Sequence, residues 1–465
     1  MVDRRNVIKT GLAASTLLSL GAQARRRRPA RRSDKPNIIH ICADDMRSED
    51  VRLMPNLKAL FRGAGLNFSR HFLPFPLCAP SRAGMLTGLQ PHNHGVLGNN
   101  KLGGYGVYQT LEDNALPVWL TDAGYYVGHV GKFINSYGKI APKHVPPGYA
   151  DWHAMASEKL SYTDFKLNEN GKLVHYNSGQ YTTDVFVAKV LDFLDAAPEP
   201  YALFFWPNAP HLPATPDQQD KGTFADVDMP IRPDFNEAKV ADKPSYIRDL
   251  PLLDADQIAA IQDVWRSRAE CLQSLDRGLA AIVSALETSG QIENTHIVFT
   301  SDNGFLLGEH RVDDGKDLLY EESIRVPLFW RQPGGDVAAR DQVVSNLDVT
   351  AALVEIAGAT PGRILDGRSL VPLLTDKSAP WNTATLLQCT LASGVATRRY
   401  RYVVWAETGE VELYDLNDDP YELKNVAGRA KFAHIQAELA DALAALQGCA
   451  GTSCSWTGHF RPAAT

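Results

Sequence analysis

Beyond its first two dozen residues the sequence has no apolar run long enough to cross a bilayer, no internal repeat and no low-complexity stretch except four consecutive arginines, Arg25 to Arg28. A membrane channel and a solenoid are therefore excluded, and disorder is expected only at the ends. Positive charge is scarce in the body. Residues 1–33 carry nine Arg or Lys and one Asp, so of the net charge of −7 the rest of the chain holds −15. An acidic body excludes nucleic acid as the main partner, and an anionic substrate would need a locally positive pocket. Cysteines are also few, six in all. Cys449 and Cys454 lie close together in a Gly/Ser-rich tail and could pair in an oxidising compartment. Cys42 and Cys271 fall in apolar patterns that suit buried thiols.

What is present is ordinary globular composition, 44% hydrophobic and 22% charged over 465 residues. That length suggests one large domain and a smaller one. The first 33 residues read as an export signal and basic linker. Arg4-Arg5 and Lys9 precede a short apolar run, Leu12 to Leu20, and Ala22-Gln23-Ala24 has the small-x-small form of a cleavage site. The paired arginines point to the twin-arginine export machinery and a periplasmic or secreted protein.

From Pro36 onwards strands and helices alternate. Asn37 to Ala43, Tyr126 to Val130, Tyr201 to Trp206 and His296 to Thr300 are short apolar runs suited to buried strands. Met54 to Gly65, Val118 to Gly124, Ile258 to Gly290 and Leu347 to Ala357 have helical spacing, the third opened by an Asp254/Gln257 capping box. An α/β layered domain with a mainly parallel central sheet is expected over 34–376. Residues 377–465 change texture. Thr397 to Trp405 and Val411 to Tyr414 read as antiparallel strands and Lys431 to Leu446 as a closing helix, together a small α+β subdomain.

Two constellations carry chemistry. Asp44-Asp45 and Asp302-Asn303 each stop a strand, where the loops of a parallel sheet form a ligand crevice. Either pair alone would be read as a turn cap. Together they are an oxygen-only ligand set for one hard divalent cation, calcium or magnesium rather than zinc. The second is Cys78-Ala79-Pro80-Ser81-Arg82. Pro80 and Ser81 suit a first helical turn, so Cys78 would face free backbone N–H groups and the positive end of the helix dipole.

The run from Cys78 through Pro80, Ser81, Arg82, Leu86, Thr87 and Gly88 resembles the signature of the type I sulfatase family, which has an alkaline-phosphatase-like fold. The resemblance extends from about Pro36 through Asp44-Asp45, Gly131-Lys132, Ala209-Pro210-His211, Ser301 to Gly304, Lys316, Tyr320 to Pro327, Asp366 to Leu370 and Leu413 to Pro420. It implies that Cys78 is oxidised by a formylglycine-generating enzyme to an aldehyde that hydrates to a diol (3-oxoalanine as the modified residue). One hydroxyl attacks sulfur and the other expels sulfate, a release that a plain serine ester lacks. It further implies calcium, with magnesium second, on Asp44, Asp45, Asp302, Asn303 and residue 78. Arg82 would steady the hydrated aldehyde, Lys132, Lys316 and His211 would bind sulfate, and His211 or Lys316 would protonate the leaving alcohol.

The chain departs from the commonest pattern at Ile134, where many members have histidine two residues after the lysine. Asn135 is the candidate replacement. This variant is similar to the N-acetylglucosamine-6-sulfatase and heparan sulfatase branch, as are Val145 to Tyr149 with Trp152, Leu167 to Gly171 and Gly304 to His310. A sulfated sugar is the implied partner, and Glu309 and His310 are candidate substrate contacts. An arylsulfatase, a phosphonate or phosphate monoester hydrolase on the same fold, and a non-catalytic glycan-binding protein are the alternatives. His92 and His94 are read as hydrogen-bonding loops.

Overall fold

The computed structural model describes residues 33–461 apart from 63–64, 101–102 and 336. The export signal expected in the first 33 residues, with its paired arginines, lies outside them. No helix among the described residues is long and apolar enough to cross a membrane.

Asn37–Ala43 is buried at every position. A strand apolar on both faces suits the middle of a parallel sheet, and it lies parallel to Tyr201–Trp206 on one side and Thr295–Ser301 on the other. The whole sheet has ten strands. From one edge they run Ala338–Arg340, Gly65–Phe68, Phe329–Arg331, Thr295–Ser301, Asn37–Ala43, Tyr201–Trp206, Tyr126–Gly131, Asp151–Met155, Phe165–Glu169 and Lys172–Tyr176. Thr295–Ser301 through Asp151–Met155 are mutually parallel, and antiparallel pairs flank them on both sides. The hairpin Phe165–Glu169 to Lys172–Tyr176 turns on Asn170 (φ 50°) and Gly171 (φ 89°), two residues that accept the left-handed backbone a tight hairpin needs.

Alternation along the central strand separates two apolar layers. Ile38 and Cys42 join the Cys78–Thr87 and Asn346–Ala357 helices on one face. Ile39, Ile41 and Ala43 join Phe186, Val190, Leu272, Leu275, Leu279 and Ile282 on the other. Each such side chain, once buried, is worth roughly 1.5–3 kcal/mol. The long helix is Ala255–Ser289. Its expected capping box is present: Gln257 N donates to Asp254 Oδ1 (2.9 Å) and Asp254 N to Gln257 Oε1 (3.0 Å). Left-handed Gly290 ends it.

The Cα trace clusters Lys35–Thr465 as one compact unit. Within it Ala384–Gln388, Ala392–Thr397, Tyr400–Trp405 and Val411–Asp415 form a separate antiparallel sheet. One face, with Leu387, Ala396, Val403 and Tyr414, packs on Phe72, Leu306 and Tyr320 of the body. The other, with Leu386, Val395 and Leu413, packs on Ile435, Leu439 and Leu443 of the Ala433–Leu446 helix. Cys449 and Cys454 are disulfide-bonded.

Two expected elements differ in extent. The helix expected over Met54 to Gly65 is Pro55–Arg62, and Gly65 opens a strand that pairs with Phe329–Arg331 instead of capping the helix. The single strand expected over Thr397 to Trp405 is the end of one strand and all of the next. They are joined by a turn in which the Thr397 hydroxyl accepts from Arg399 N (3.1 Å) and Tyr400 N (2.7 Å). A threonine that satisfies two turn amides ends a strand whose β-rich composition would otherwise read through.

Candidate active site

Strand register assembles the site. Ala43 is paired with Ser301, so Asp44 and Asp302 leave the sheet side by side. Gly131 is paired with Trp206, so Lys132 leaves at the same end, and the Pro207–Pro213 loop that carries His211 follows Trp206. Asp44, Asp45, Asp302 and Asn303 are all buried. Asp45 holds left-handed backbone (φ 66°), with its N–H on Asp302 Oδ1 (3.1 Å) and its carbonyl on Arg268 Nη2 (2.6 Å).

Cys78 is the first residue of the buried helix Cys78–Thr87. Its Sγ lies 3.7 Å from Asp44 Oδ1, 3.9 Å from Asp45 Oδ1 and 2.9 Å from Lys316 Nζ. Asn99 Oδ1 accepts from Ala79 N (3.0 Å), which takes one free amide of the first turn. Four residues on, about one turn along the same helix, Arg82 is fully buried. Its Nε meets Asp302 Oδ2 at 2.8 Å, its Nη1 donates to the Lys132 carbonyl at 2.8 Å, and the guanidinium lies 5.2 Å from the Trp206 ring.

Every predicted cation rests on a predicted ligand. Lys132 Nζ is 2.6 Å from Asp44 Oδ2, Lys316 Nζ bonds Asp45 Oδ1, and His211 Nε2 is 3.6 Å from Asp45 Oδ2. These charges set the titration. Burial pushes the Asp44 and Asp45 carboxyls up, but the cations (Lys132 and His211 foremost at Asp44, His211 and Lys316 at Asp45) outweigh it and hold both below the usual range. Asp302 stands above its usual value, through burial and then the neighbouring Asp44, with Arg82 opposing. Burial pushes the Cys78 thiol up to about 12 despite Lys132 and Lys316. An unmodified thiol there stays protonated and is a poor nucleophile at neutral pH. Lys316 and Lys132 stay charged because the acids around them outweigh burial, whereas burial holds His211 below its usual value.

Asn303 Oδ1 is buried without a hydrogen-bond partner, while its Nδ2 donates to Asp45 Oδ1 at 2.6 Å. Ligand atoms of Asp44, Asp45, Cys78 and His211 lie within 4.8 Å of one another. Asp302 is not in that group; two of its four members are carboxylates, and with the buried Asp302 carboxylate beside Asp45 and the orphaned Asn303 Oδ1 the oxygen donors fit a divalent cation.

A cleft of about 240 Å³ opens beside the cluster, lined by Lys132, Asn135, Tyr137, Lys139, Glu158 and His211 among others. Three larger cavities, of about 430 to 440 Å³, contain none of the site residues. Ile134 is buried in the apolar layer with Phe133, Tyr137 and Trp152 and also lines the cleft, next to Asn135, whose Oδ1 is buried without a hydrogen-bond partner.

Glu309 and His310 are not brought to this cleft. Glu309 pairs with Arg47 Nη2 (2.5 Å), and His310 is fully buried, stacked on Tyr320 and bonded through Nδ1 to Glu237 Oε2 (2.9 Å). His92 bonds Gln388 and the Cys449 carbonyl, and His94 accepts from Val96 N. Arg268, Arg47 and Asn99 were not legible as site residues. Each acts through a contact between distant segments, and no local spacing marks it.

Residues 36–359 match the family model described as Sulfatase. The chain belongs to the sulfatase family. Residues 308–448 also match the model described as N-sulphoglucosamine sulphohydrolase, C-terminal, which spans the join between the large sheet and the small one. Among similar proteins is the N-acetylglucosamine-6-sulfatase of Homo sapiens, 31% identical, with 92% of this chain and 87% of that protein aligned. An arylsulfatase of Volvox carteri is 29% identical over 90% of this chain and 76% of its own. A solved structure in complex with its substrate D-glucosamine-2-N,6-O-disulfate shares the fold, with TM-score 0.74 and 23% identity over 89% of this chain and 97% of that one.

Proposed function

We propose that this sulfatase is formylglycine-dependent, modified at Cys78, and removes sulfate from a sulfated amino sugar, with 6-O-sulfated N-acetylglucosamine or heparan-type glycan as the substrate class. The observation that carries the reading is the meeting of Cys78, at the first turn of a buried helix, with Asp44, Asp45, Lys132, Lys316 and His211. The substrate class rests on the named activity of the human relative and on the cleft, where cationic Lys132 and Lys139 stand beside polar Asn135 and aromatic Tyr137.

Asp44, Asp45, Asp302 and the orphaned Asn303 Oδ1 would hold one calcium ion, with residue 78 alongside; bound, it polarises a sulfate oxygen. As formylglycine, residue 78 supplies a hydrated aldehyde whose two hydroxyls divide attack from release. The chain's own groups do the rest. Arg82, locked by Asp302 and the Lys132 carbonyl, fixes the helix start that carries residue 78. Lys132 and Lys316 hold permanent charge where sulfate oxygens arrive. His211 is the cation that loses its proton most readily, and a bound sulfate would favour its protonated form; we assign it the proton given to the leaving alcohol. We further propose export by the twin-arginine route, on the strength of Arg4-Arg5; Lys at both positions should leave active enzyme inside the cell.

Two measurements test the reading. Peptide mass spectrometry should find the aldehyde at position 78, and only thiol in a host able to modify it would overturn the mechanism. A panel of sulfated monosaccharides, heparan fragments, aryl sulfates and phosphonate monoesters should give the highest kcat/KM on a 6-O-sulfated amino sugar. Preference for aryl sulfates would leave a broad arylsulfatase, and preference for phosphonates would replace the sulfate reading.

A further inference from the structure

Behind the loop that carries Lys316 lies a second cluster that the chemistry above does not use. Asp234, His310 and Glu322 are all buried, and their ligand atoms lie within 4.8 Å of one another. One atom of each has no hydrogen-bond partner: Asp234 Oδ1, His310 Nε2 and Glu322 Oε2. The remaining atoms are spoken for. Arg232 Nη2 takes Asp234 Oδ2 at 2.7 Å and bonds Glu322 Oε1. His310 Nδ1 meets Glu237 Oε2 at 2.9 Å.

That last contact fixes the tautomer. A ring N–H given to the Glu237 carboxylate leaves the Nε2 lone pair bare, and carboxylate behind histidine is the arrangement that orients metal-binding imidazoles. A bare lone pair facing two carboxylate oxygens is repulsive unless positive charge stands between them. Arg232 is the cation of this group, and it is already shared with Glu49 (3.2 Å).

We propose that Asp234, His310 and Glu322 bind a second divalent cation, of the zinc class, separate from the catalytic one. One imidazole nitrogen and two carboxylate oxygens suit zinc better than calcium. The role is positional. His310 N donates to the Asp234 carbonyl (2.8 Å), and Gly304 N and Phe305 N donate to the Ser323 and Glu322 carbonyls (2.9 and 2.8 Å). A cation here ties both ends of the segment 310–322, which carries Lys316, to Asp234.

The test uses the full enzyme, equilibrated with millimolar calcium and micromolar zinc, with metal content read by mass spectrometry. Wild type should retain one zinc per chain. His310→Gln and Glu322→Gln should lose it, and Asp45→Asn should keep it. Glu237→Gln, which removes only the carboxylate behind the histidine, should weaken zinc about 10–100-fold. If His310→Gln fails to fold, Asp234→Asn and Glu322→Gln, which preserve shape and the Arg232 contacts, decide the matter. An anomalous difference peak at the zinc edge between the three side chains would place the ion. No stoichiometric zinc in wild type, or zinc that follows Asp45 rather than Glu322, overturns the proposal.

Discussion

Replacing Arg82 by Met tests how the catalytic cluster is balanced. The side chain is fully buried, and the substitution keeps most of its length and apolar stem while removing the charge. Two hydrogen bonds near 2.8 Å are lost, and Asp302 is left in the interior accepting from the Asp45 amide. Removing one partner of a buried pair costs about 3–5 kcal/mol, because the survivor's charge is stranded. The loss should be largest in chelator. Arg82 Nη2 lies 3.7 Å from Asp44 Oδ2, so its charge opposes any cation brought to that carboxylate. Calcium should therefore bind the variant more tightly and recover much of the lost stability. Urea unfolding followed by tryptophan fluorescence, with and without calcium, reads both effects. Adding Asp302→Asn in chelator should restore part of the loss by removing the stranded charge. A loss below about 1 kcal/mol in chelator, or no rescue by Asp302→Asn, would refute the picture of Arg82 as the counter-charge of Asp302.

Three further outcomes follow from the same geometry. His211 is held below its usual pKa of 6.5, and as the proton donor it must be protonated to act; log kcat/KM should therefore fall as pH rises through that lowered value, a basic limb that His211→Asn abolishes, while a limb shared by both enzymes would remove His211 from the proton's path. A Cβ on Gly131 would meet the Trp206 carbonyl oxygen at 2.1 Å from backbone at φ 118°. Gly131→Ala should thus cost at least about 1–3 kcal/mol and lower kcat by displacing Lys132, and a variant of unchanged melting temperature and rate would contradict it. Burial raises the Asp348 carboxyl from 3.8 to about 6, with amides of Arg368 and Ser345 opposing. The folded chain then holds that proton more tightly than the unfolded chain. Its stabilisation is complete below about pH 3.8 and is lost as pH rises through 6, and Asp348→Asn should flatten unfolding free energy over that window.

Much of the fold was legible because burial leaves a one-dimensional trace. Asn37–Ala43 and Tyr201–Trp206 are apolar at nearly every position because both faces are covered, and the long helix announces its start with Asp254 and Gln257 and its end with Gly290. The acidic pairs, Cys78, Lys132, His211 and Lys316 were legible for a different reason. The acidic pairs stop strands and Cys78 opens a dense local motif, where residue type and position suggest a role, while Lys132, His211 and Lys316 stand out only through the resemblance to the sulfatase family. What local patterns do not record is partnership across the fold. Thr397 divides one apparent strand into two through hydrogen bonds that composition does not show. Arg268 reaches Asp45 across 223 residues, and Asn99 reaches the Cys78 helix from a loop. Glu309 and His310 follow the metal pair closely in sequence, yet the turn at left-handed His310 (φ 52°) carries them into the Arg47 and Glu237 cluster. The sequence by itself determined the layered α/β class, the sulfatase signature and the ligand types, since these depend on periodicity and side-chain chemistry. Only the tertiary structure decided which charges face one another, because strand register and loop direction set distances that spacing along the chain does not contain.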